Sequence, residues 1–329
     1  MALVRISHMR TMEQQTPEPW PDADKTEFKP LFVERYSALT DWKEFRKYSL
    51  CYLRKSIRVN TLKTSVAEVK KRLSPKWTLT PVPWCNEGFW IKGERRDIGN
   101  LPEHVLGYIY VQEAASMIPP IVLDPQPDDL VLDIAASPGS KTTQIGQYMN
   151  NEGILIANDI DATRLAALGI NTQRCGLTNL IITKMQGHWY KKVPVQFDRI
   201  LVDAPCSGTG TIRKSMKTIQ MWNPNMVKRL AGTQRELIRT ALNVLKPQGM
   251  LVYSTCTMEP DENEAVIDRI LQEYPTVKLE KIELDIKRSA PITEFEGQTF
   301  SSEVKKCLRI WPQDNDTEGF FVAKLRKEA

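Results

Sequence analysis

Histidine is scarce: 329 residues hold only His8, His104 and His188. That excludes a histidine-built metal cluster and leaves no basis for a histidine-based catalytic triad. A C-x-x-C pair is also missing. The six cysteines, Cys51, Cys85, Cys175, Cys206, Cys256 and Cys307, lie far apart, which argues against both a zinc site and a small disulfide scaffold and favours a reduced, cytoplasmic setting. No apolar run approaches the roughly twenty residues that span a bilayer, and the amino terminus lacks a signal-peptide core. A soluble chain with no membrane partner and no bound metal is therefore expected.

Two phosphate-binding signatures are absent as well. The clearest βαβ unit runs DLVLDIAAS, PGSKTTQIGQYM, GILIANDID, a strand that ends at a Pro-Gly turn, a helix, and a second strand that ends at Asp159. A dinucleotide fingerprint requires G-x-G-x-x-G at that turn, but the turn reads Ala135-Ala136-Ser137-Pro138-Gly139-Ser140-Lys141, so nicotinamide binding is disfavoured. A P-loop requires a glycine immediately before the lysine and another five positions earlier, and both are missing. The acidic strand end about twenty residues beyond the turn still suits the hydroxyls of a ribose. A cofactor with ribose and adenine but no phosphates fits, and S-adenosyl-L-methionine meets that description.

The length predicts one large α/β domain with a smaller appendage. Residues 1–27 are polar and proline-bearing and are read as a flexible segment, in which Ser7-His8-Met9 resembles an expression-tag scar. Residues 28–105 predict a small α+β domain: short helices over 28–50, a basic strand at RKSIRVNTLK, and an amphipathic helix stopped by Pro75. Arg54, Lys55, Arg58 and Lys63 are its candidate phosphate contacts. Trp77, Trp84, Phe89 and Trp90 either fill its core or stack on unpaired bases. The net charge of +5 suits an anionic partner without requiring one. At GYIYVQEAASMIPP, a strand passes into a helix ended by the proline pair, with Gln112 and Glu113 as solvated residues. Over 106–329, strands alternate with helices, which predicts a seven-stranded, mostly parallel sheet with one strand reversed near the carboxyl end.

Within that sheet, DRILVDAPCSGTG (198–210) and GMLVYSTCTMEPDENE (249–264) each form a short apolar strand running into a cysteine. Parallel strands deliver the loops at their carboxyl ends to one crevice, so Cys206 and Cys256 are expected to face one another. The acidic residues after Pro260 suit the first turn of a helix.

The motifs DIAASPGSKTT (133–143), DAPCSGTG (203–210) and YSTCTMEPDENE (253–264), in this order, resemble the RNA 5-methylcytosine methyltransferases of the Nop/Sun type. The similarity extends from about residue 50 to the end, and RKSIRVNTLK, WTLTPVPWCNEGFWI, YVQEAASM and EGFFVAKLRK are most like a bacterial ribosomal-RNA member that carries further C-terminal domains. The present chain stops at the end of the catalytic domain, as short members do. The resemblance implies a Rossmann-like methyltransferase domain acting on an RNA substrate, ribosomal RNA first and transfer RNA second; a monomer is the default expectation. It implies that Cys256 is the nucleophile, adding to C6 of cytosine so that C5 can take the methyl group, and that Cys206 helps to resolve the adduct. Asp203 would bond the cytosine N3/N4 edge, and Lys141 would favour the thiolate.

For the cofactor, the resemblance implies Ala135, Ala136, Ser137, Pro138, Gly139, Ser140 and Lys141 of the turn, Asp159 on the ribose, Asp203 near the methionine end, and Arg164. Gln186 departs from the pattern, standing where the family has an acidic residue near adenine; an amide still offers hydrogen bonds. Ser137 and Ser140 replace small residues of the common turn. Two other readings stay open: methylation at cytosine N4, which needs no Cys256, and a non-catalytic RNA-binding or ribosome-assembly factor.

Overall fold

The structure is a computed structural model that describes residues 17–93 and 97–328. Most of the expected flexible segment, residues 1–16, lies outside the described residues. Its remainder is anchored: Pro19 forms a β-bridge with Cys51, and the Trp20 N–H donates to the Leu50 carbonyl. Two helices come next, α1 (Pro30–Leu39) and α2 (Trp42–Ser49). Pro30 opens α1 at a position where its missing N–H is no loss, and the Asp41 carboxylate caps α2 by accepting from the Lys43 and Glu44 N–H groups.

The small domain is an antiparallel sheet. Its elements are β1 (Ser56–Val59), α3 (Val66–Leu73), β2 (Trp77–Val82), β3 (Cys85–Gly93), the short α4 (Pro102–Val105) and β4 (Ile109–Val111), with strand order β2-β3-β1-β4. Two features differ from the sequence expectation. The sheet continues past residue 105, because β4 pairs with β1. The helices α1 and α2 leave the small sheet, and their Phe32, Tyr36 and Phe45 pack with Ile212, Trp222, Met258 and Trp311 on the large domain. Nor do the prolines end a helix: Pro119 and Pro120 lie in the first turn of α5 (Ile118–Leu123), where no intrahelical N–H is required.

The large domain alternates as expected. After α5 come β5 (Leu130–Asp133), α6 (Ser140–Tyr148), β6 (Ile154–Asp159), α7 (Ala162–Cys175), β7 (Leu180–Lys184), β8 (Phe197–Asp203), α8 (Lys217–Met221), α9 (Pro224–Val244) and β9 (Leu245–Thr255). The chain continues through α10 (Glu264–Glu273), β10 (Val277–Glu280), a two-stranded hairpin of β11 (Glu294–Phe295) and β12 (Gln298–Thr299), β13 (Leu308–Ile310) and β14 (Phe320–Lys327). The central order is β10-β14-β9-β8-β5-β6-β7, with β14 antiparallel to both neighbours and β13 pairing β14 at one end. Helix starts obey sequence chemistry: Asp161 caps α7 and Asn223 caps α9 through their side chains, and Gly176 ends α7 in the left-handed conformation. Apolar side chains cover both sheet faces, Leu132, Ile200 and Leu251 on one and Val131, Leu201 and Val252 on the other. This alternation buries the sheet and leaves its carboxyl edge for chemistry.

Candidate active site

Strands β8 and β9 are parallel neighbours in a register that sets Asp203 beside Ser254. The ladder extends one bond further, from the Ala204 N–H to the Ser254 carbonyl at 3.0 Å. Both chains then turn, and the turns bring Cys206 Sγ to 3.3 Å from Cys256 Sγ. The Cys256 carbonyl is held by the Gly210 N–H at 3.0 Å, and the Gly210 carbonyl by the Gly319 N–H at 2.9 Å. Cys206 is pushed well above the usual thiol range, first by the hydrogen bond it shares with Cys256, then by burial and by the charges of Cys256 and Glu262.

Lys141, in the first turn of α6, reaches the same crevice and bonds Asp203 Oδ2 at 2.7 Å, while Ser254 Oγ donates to Oδ1 at 2.7 Å. Burial opposes the Lys141 charge, but Asp203 and Cys256 outweigh it and hold the ammonium above the ordinary lysine range. A buried cation is thus paired with the carboxylate that ends β8, in the crevice that holds the two cysteines.

The turn after β5 has the chemistry of a ligand cradle. Gly139 adopts φ 103°, and it precedes α6, so a side chain there would be strained. Asp159, almost fully buried, accepts from the Ser137 N–H at 3.3 Å and the Asp161 N–H at 3.0 Å, and Arg164 ties the Ser137 carbonyl at 2.8 Å. Asn158 locks the neighbouring ends of β5 and β7, donating to the Ile134 and Met185 carbonyls. Ser137 Oγ and Asp133 Oδ1 are buried and make no hydrogen bond within the protein. Orphaned polar atoms of this kind in a turn beside an acidic strand end fit a polar, phosphate-free nucleoside ligand. Burial lifts Asp133 to about 7, although the Thr142 hydroxyl opposes it. Gln186 is exposed just beyond β7.

Comparison with known proteins accounts for this geometry. Residues 120–326 match the family described as 16S rRNA methyltransferase RsmB/F, and residues 28–114 match the N-terminal domain of 16S rRNA methyltransferase RsmF. The chain belongs to the RsmB/F methyltransferase family. It is 49% identical over 307 residues to a tRNA (cytosine(49)-C(5))-methyltransferase of Pyrococcus abyssi, an alignment covering 92% of this chain and 98% of that protein. It is 46% identical over 283 residues to the ribosomal RNA small subunit methyltransferase F of Escherichia coli O81 (strain ED1a), where it covers 84% of this chain but 57% of the relative. Among solved structures, a methyltransferase homolog from Pyrococcus horikoshii superposes with a TM-score of 0.83 at 38% identity, covering 91% of this chain and 95% of that one. S-adenosylmethionine is the methyl donor of this enzyme class, and the turn at Ala135–Lys141 with Asp159 has the chemistry to hold it.

In this RsmB/F methyltransferase, the four basic candidates of the small domain have different fates. Arg54 lies over the Trp90 ring at 3.9 Å and, with exposed Lys55, lines a groove of about 830 Å³ between the small sheet and the large domain. Trp77, Lys92 and Lys214 line it too. Arg58, by contrast, is 0% exposed. Its guanidinium donates to the Gln112, Gln144 and Gln147 side chains, to Thr143 Oγ1 and to the Ser140 carbonyl, so it fastens β1 to α6 and is withdrawn from any phosphate. Lys63 bonds the Leu106 and Arg174 carbonyls and lies off the groove. Trp84, Phe89 and Trp90 are buried core, and Gln112 is buried with Arg58 instead of solvated.

The sequence reading missed other members of the site. Glu262 and Glu264, placed by the sequence at a helix start, are both 0% exposed. Glu264 pairs with buried Arg309, and Glu262 faces the two cysteine turns. Glu113 is a half-buried acid beside the Glu318 N–H. Burial and the Glu318 charge lift it to about 8.

Proposed function

We propose that this methyltransferase modifies C5 of a cytosine in structured transfer RNA, with Cys256 as the nucleophile and Cys206 as the residue that assists release. The observation that carries this reading is the 3.3 Å approach of the two sulfurs beside the Lys141–Asp203 pair. An amine-directed methyltransferase has no use for a second thiol at that distance. Transfer RNA is favoured because the relative that is 49% identical over 307 residues bears a transfer-RNA name, against 46% over 283 residues for the ribosomal-RNA relative.

C5 of cytosine is a weak nucleophile, and attack of the Cys256 thiolate on C6 makes C5 electron-rich. Asp203, which already holds Lys141 and Ser254, stands where it can bond the N3/N4 edge of the base as charge shifts onto it. S-adenosylmethionine, when bound, supplies an electrophilic methyl group. Transfer of the C5 proton to Cys206, or to a base that Cys206 supports, then returns the electron pair to the Cys256 sulfur as the C6–S bond breaks. The target base must leave its stack to expose a ring face, and the Arg54–Lys55–Lys214 groove suits the flanking strand. We read the enzyme as a cytoplasmic monomer that needs no metal; no helix among the described residues is long and apolar enough to cross a membrane.

Unmodified transfer-RNA and small-subunit ribosomal-RNA transcripts, incubated with labelled S-adenosylmethionine and digested to nucleosides, test this proposal. It requires 5-methylcytidine from the transfer RNA. Label only in ribosomal RNA would reassign the substrate, and N4-methylcytidine would reject the thiol mechanism.

A further inference from the structure

Three carboxylates line the groove assigned to the flanking strand, and their hydrogen bonds set one of them apart. Glu113, Asp316 and Glu318 stand there beside Arg54, Lys55 and Lys214. Glu113 is filled: Oε2 accepts from the Ala115 and Ser116 N–H groups at 2.6 and 3.1 Å, and Oε1 from the Glu318 N–H at 3.2 Å. Asp316 is held by Arg213, which donates to Oδ1 at 2.7 Å, and Arg54 lies 3.8 Å from Oδ2. Glu318 is only 4% exposed, yet its Oε1 receives no hydrogen bond. The one cation paired with it among the described residues is Lys214, 3.7 Å away, with a side chain 70% exposed. A buried carboxylate left this open is costly, and a ligand that brings N–H donors removes the cost.

The backbone ties Glu318 to the nucleophile. The next residue, Gly319, donates its N–H to the Gly210 carbonyl, and the Gly210 N–H in turn holds the Cys256 carbonyl. Lys214 lies on the segment that leads from Cys206 through Gly210. The pair therefore stands where the groove adjoins the cysteine turns. RNA offers it two complementary groups, a phosphate for the exposed ammonium and an unpaired base edge for the buried carboxylate. Guanine is the base whose Watson–Crick edge carries two adjacent donors, N1–H and the N2 amine, which match the two oxygens of a carboxylate. Adenine and cytosine set a ring-nitrogen acceptor beside the amine, and uracil flanks its N3–H with carbonyl oxygens, all of which a carboxylate repels.

We propose that Glu318 is a specificity residue that reads an unpaired guanine next to the target cytosine, while Lys214 passes from the carboxylate to the adjoining phosphate. This rests on the assignment of the groove to the RNA strand beside the flipped base. Glu113 acts through Glu318, because by accepting its N–H it fixes the backbone that presents the carboxylate.

Fluorescence anisotropy with short single-stranded RNAs tests this, each centred on cytosine and carrying guanine, inosine, adenine or uracil on one side of it. Inosine differs from guanine only by the missing N2 amine. On the side that Glu318 reads, the wild type binds the guanine RNA about tenfold more tightly than the inosine RNA, as one hydrogen bond to a charged acceptor requires. In Glu318→Gln that ratio falls to about one, since the charged acceptor is gone. Lys214→Ala weakens every RNA alike and keeps the ratio, as loss of a phosphate contact does. S-adenosylhomocysteine binding by calorimetry identifies the folded fraction in each variant. Equal affinity of the wild type for guanine and inosine on both sides, or a guanine preference that survives in Glu318→Gln, overturns the proposal and leaves the groove assignment standing. Failure of the groove assignment is separately visible, as Arg54→Ala and Lys214→Ala enzymes that bind every RNA as the wild type does, and it removes the proposal with it.

Discussion

Gly210 is the tightest constraint on where Cys256 lies, and Gly210→Ala gives a prediction with two readouts. A Cβ built there would lie 2.3 Å from the Gly319 oxygen and 2.9 Å from the Cys256 oxygen. Both contacts are backbone, so no side chain can swing aside. Either the Cys256 turn or the start of β14 must shift by an amount on the order of 1 Å, a displacement that costs about 10²-fold in rate when it moves a reacting group. Overpacking of this kind destabilises by ~1–3 kcal/mol, which lowers the melting temperature by roughly 1.5–4 °C for a chain of 329 residues. The atoms that this Cβ would meet belong to Gly319 and Cys256, not to the Asp159 turn, so S-adenosylhomocysteine affinity should be unchanged. Differential scanning fluorimetry, calorimetric cofactor binding and single-turnover methylation together make the test. Wild-type turnover with a melting temperature within about 1 °C of the parent would show that the Gly210–Cys256 bond does not place the nucleophile.

Arg58→Met should destabilise the fold by ~3 kcal/mol or more in urea denaturation, because three glutamine side chains and the Ser140 carbonyl lose a buried donor. The salt dependence of RNA binding should not change, since Arg58 is closed off from solvent. Arg54→Ala should instead weaken RNA binding across sequences and reduce the slope of log affinity against log salt by about 1, as loss of one phosphate contact requires. Stability should fall as pH rises. Asp133 and Glu113 are raised from 3.8 and 4.5 to about 7 and about 8, so each favours the fold most while protonated, and that contribution is lost as pH passes through the folded values. Melting temperatures should therefore decline between about pH 4 and pH 8 and level off above that, and Asp133→Asn should flatten the decline.

The parts of the site legible in the sequence are those fixed by local rules. The β5–turn–α6–β6 unit announces itself through two apolar runs and a Pro-Gly turn, and Asp159 stands where the second strand ends. The meeting of Cys206 and Cys256 results from two parallel strands of known direction. What stayed hidden depends on contacts distant along the chain. Arg58 sits in a basic strand and looks like a phosphate ligand, but most of its partners come from α6, such as Thr143, 85 residues on, and another, Gln112, from beyond β4. The acidic Asp261-Glu262-Asn263-Glu264 run looks solvated because carboxylates usually are. Glu264 is buried by Arg309, from β13, and Glu262 by Gln234, from α9, neither adjacent in sequence. The small domain's edge at β4 was likewise hidden, since a three-residue strand has too little pattern to declare which sheet it joins.

Covalent adduct formation with a transfer-RNA transcript is the most direct test of the central claim, resolved on a denaturing gel for the wild type, Cys206→Ala and Cys256→Ala. The two-cysteine account predicts 5-methylcytidine from the wild type, a trapped protein–RNA band from Cys206→Ala, and neither band nor product from Cys256→Ala. Methylated cytosine from Cys256→Ala would contradict it.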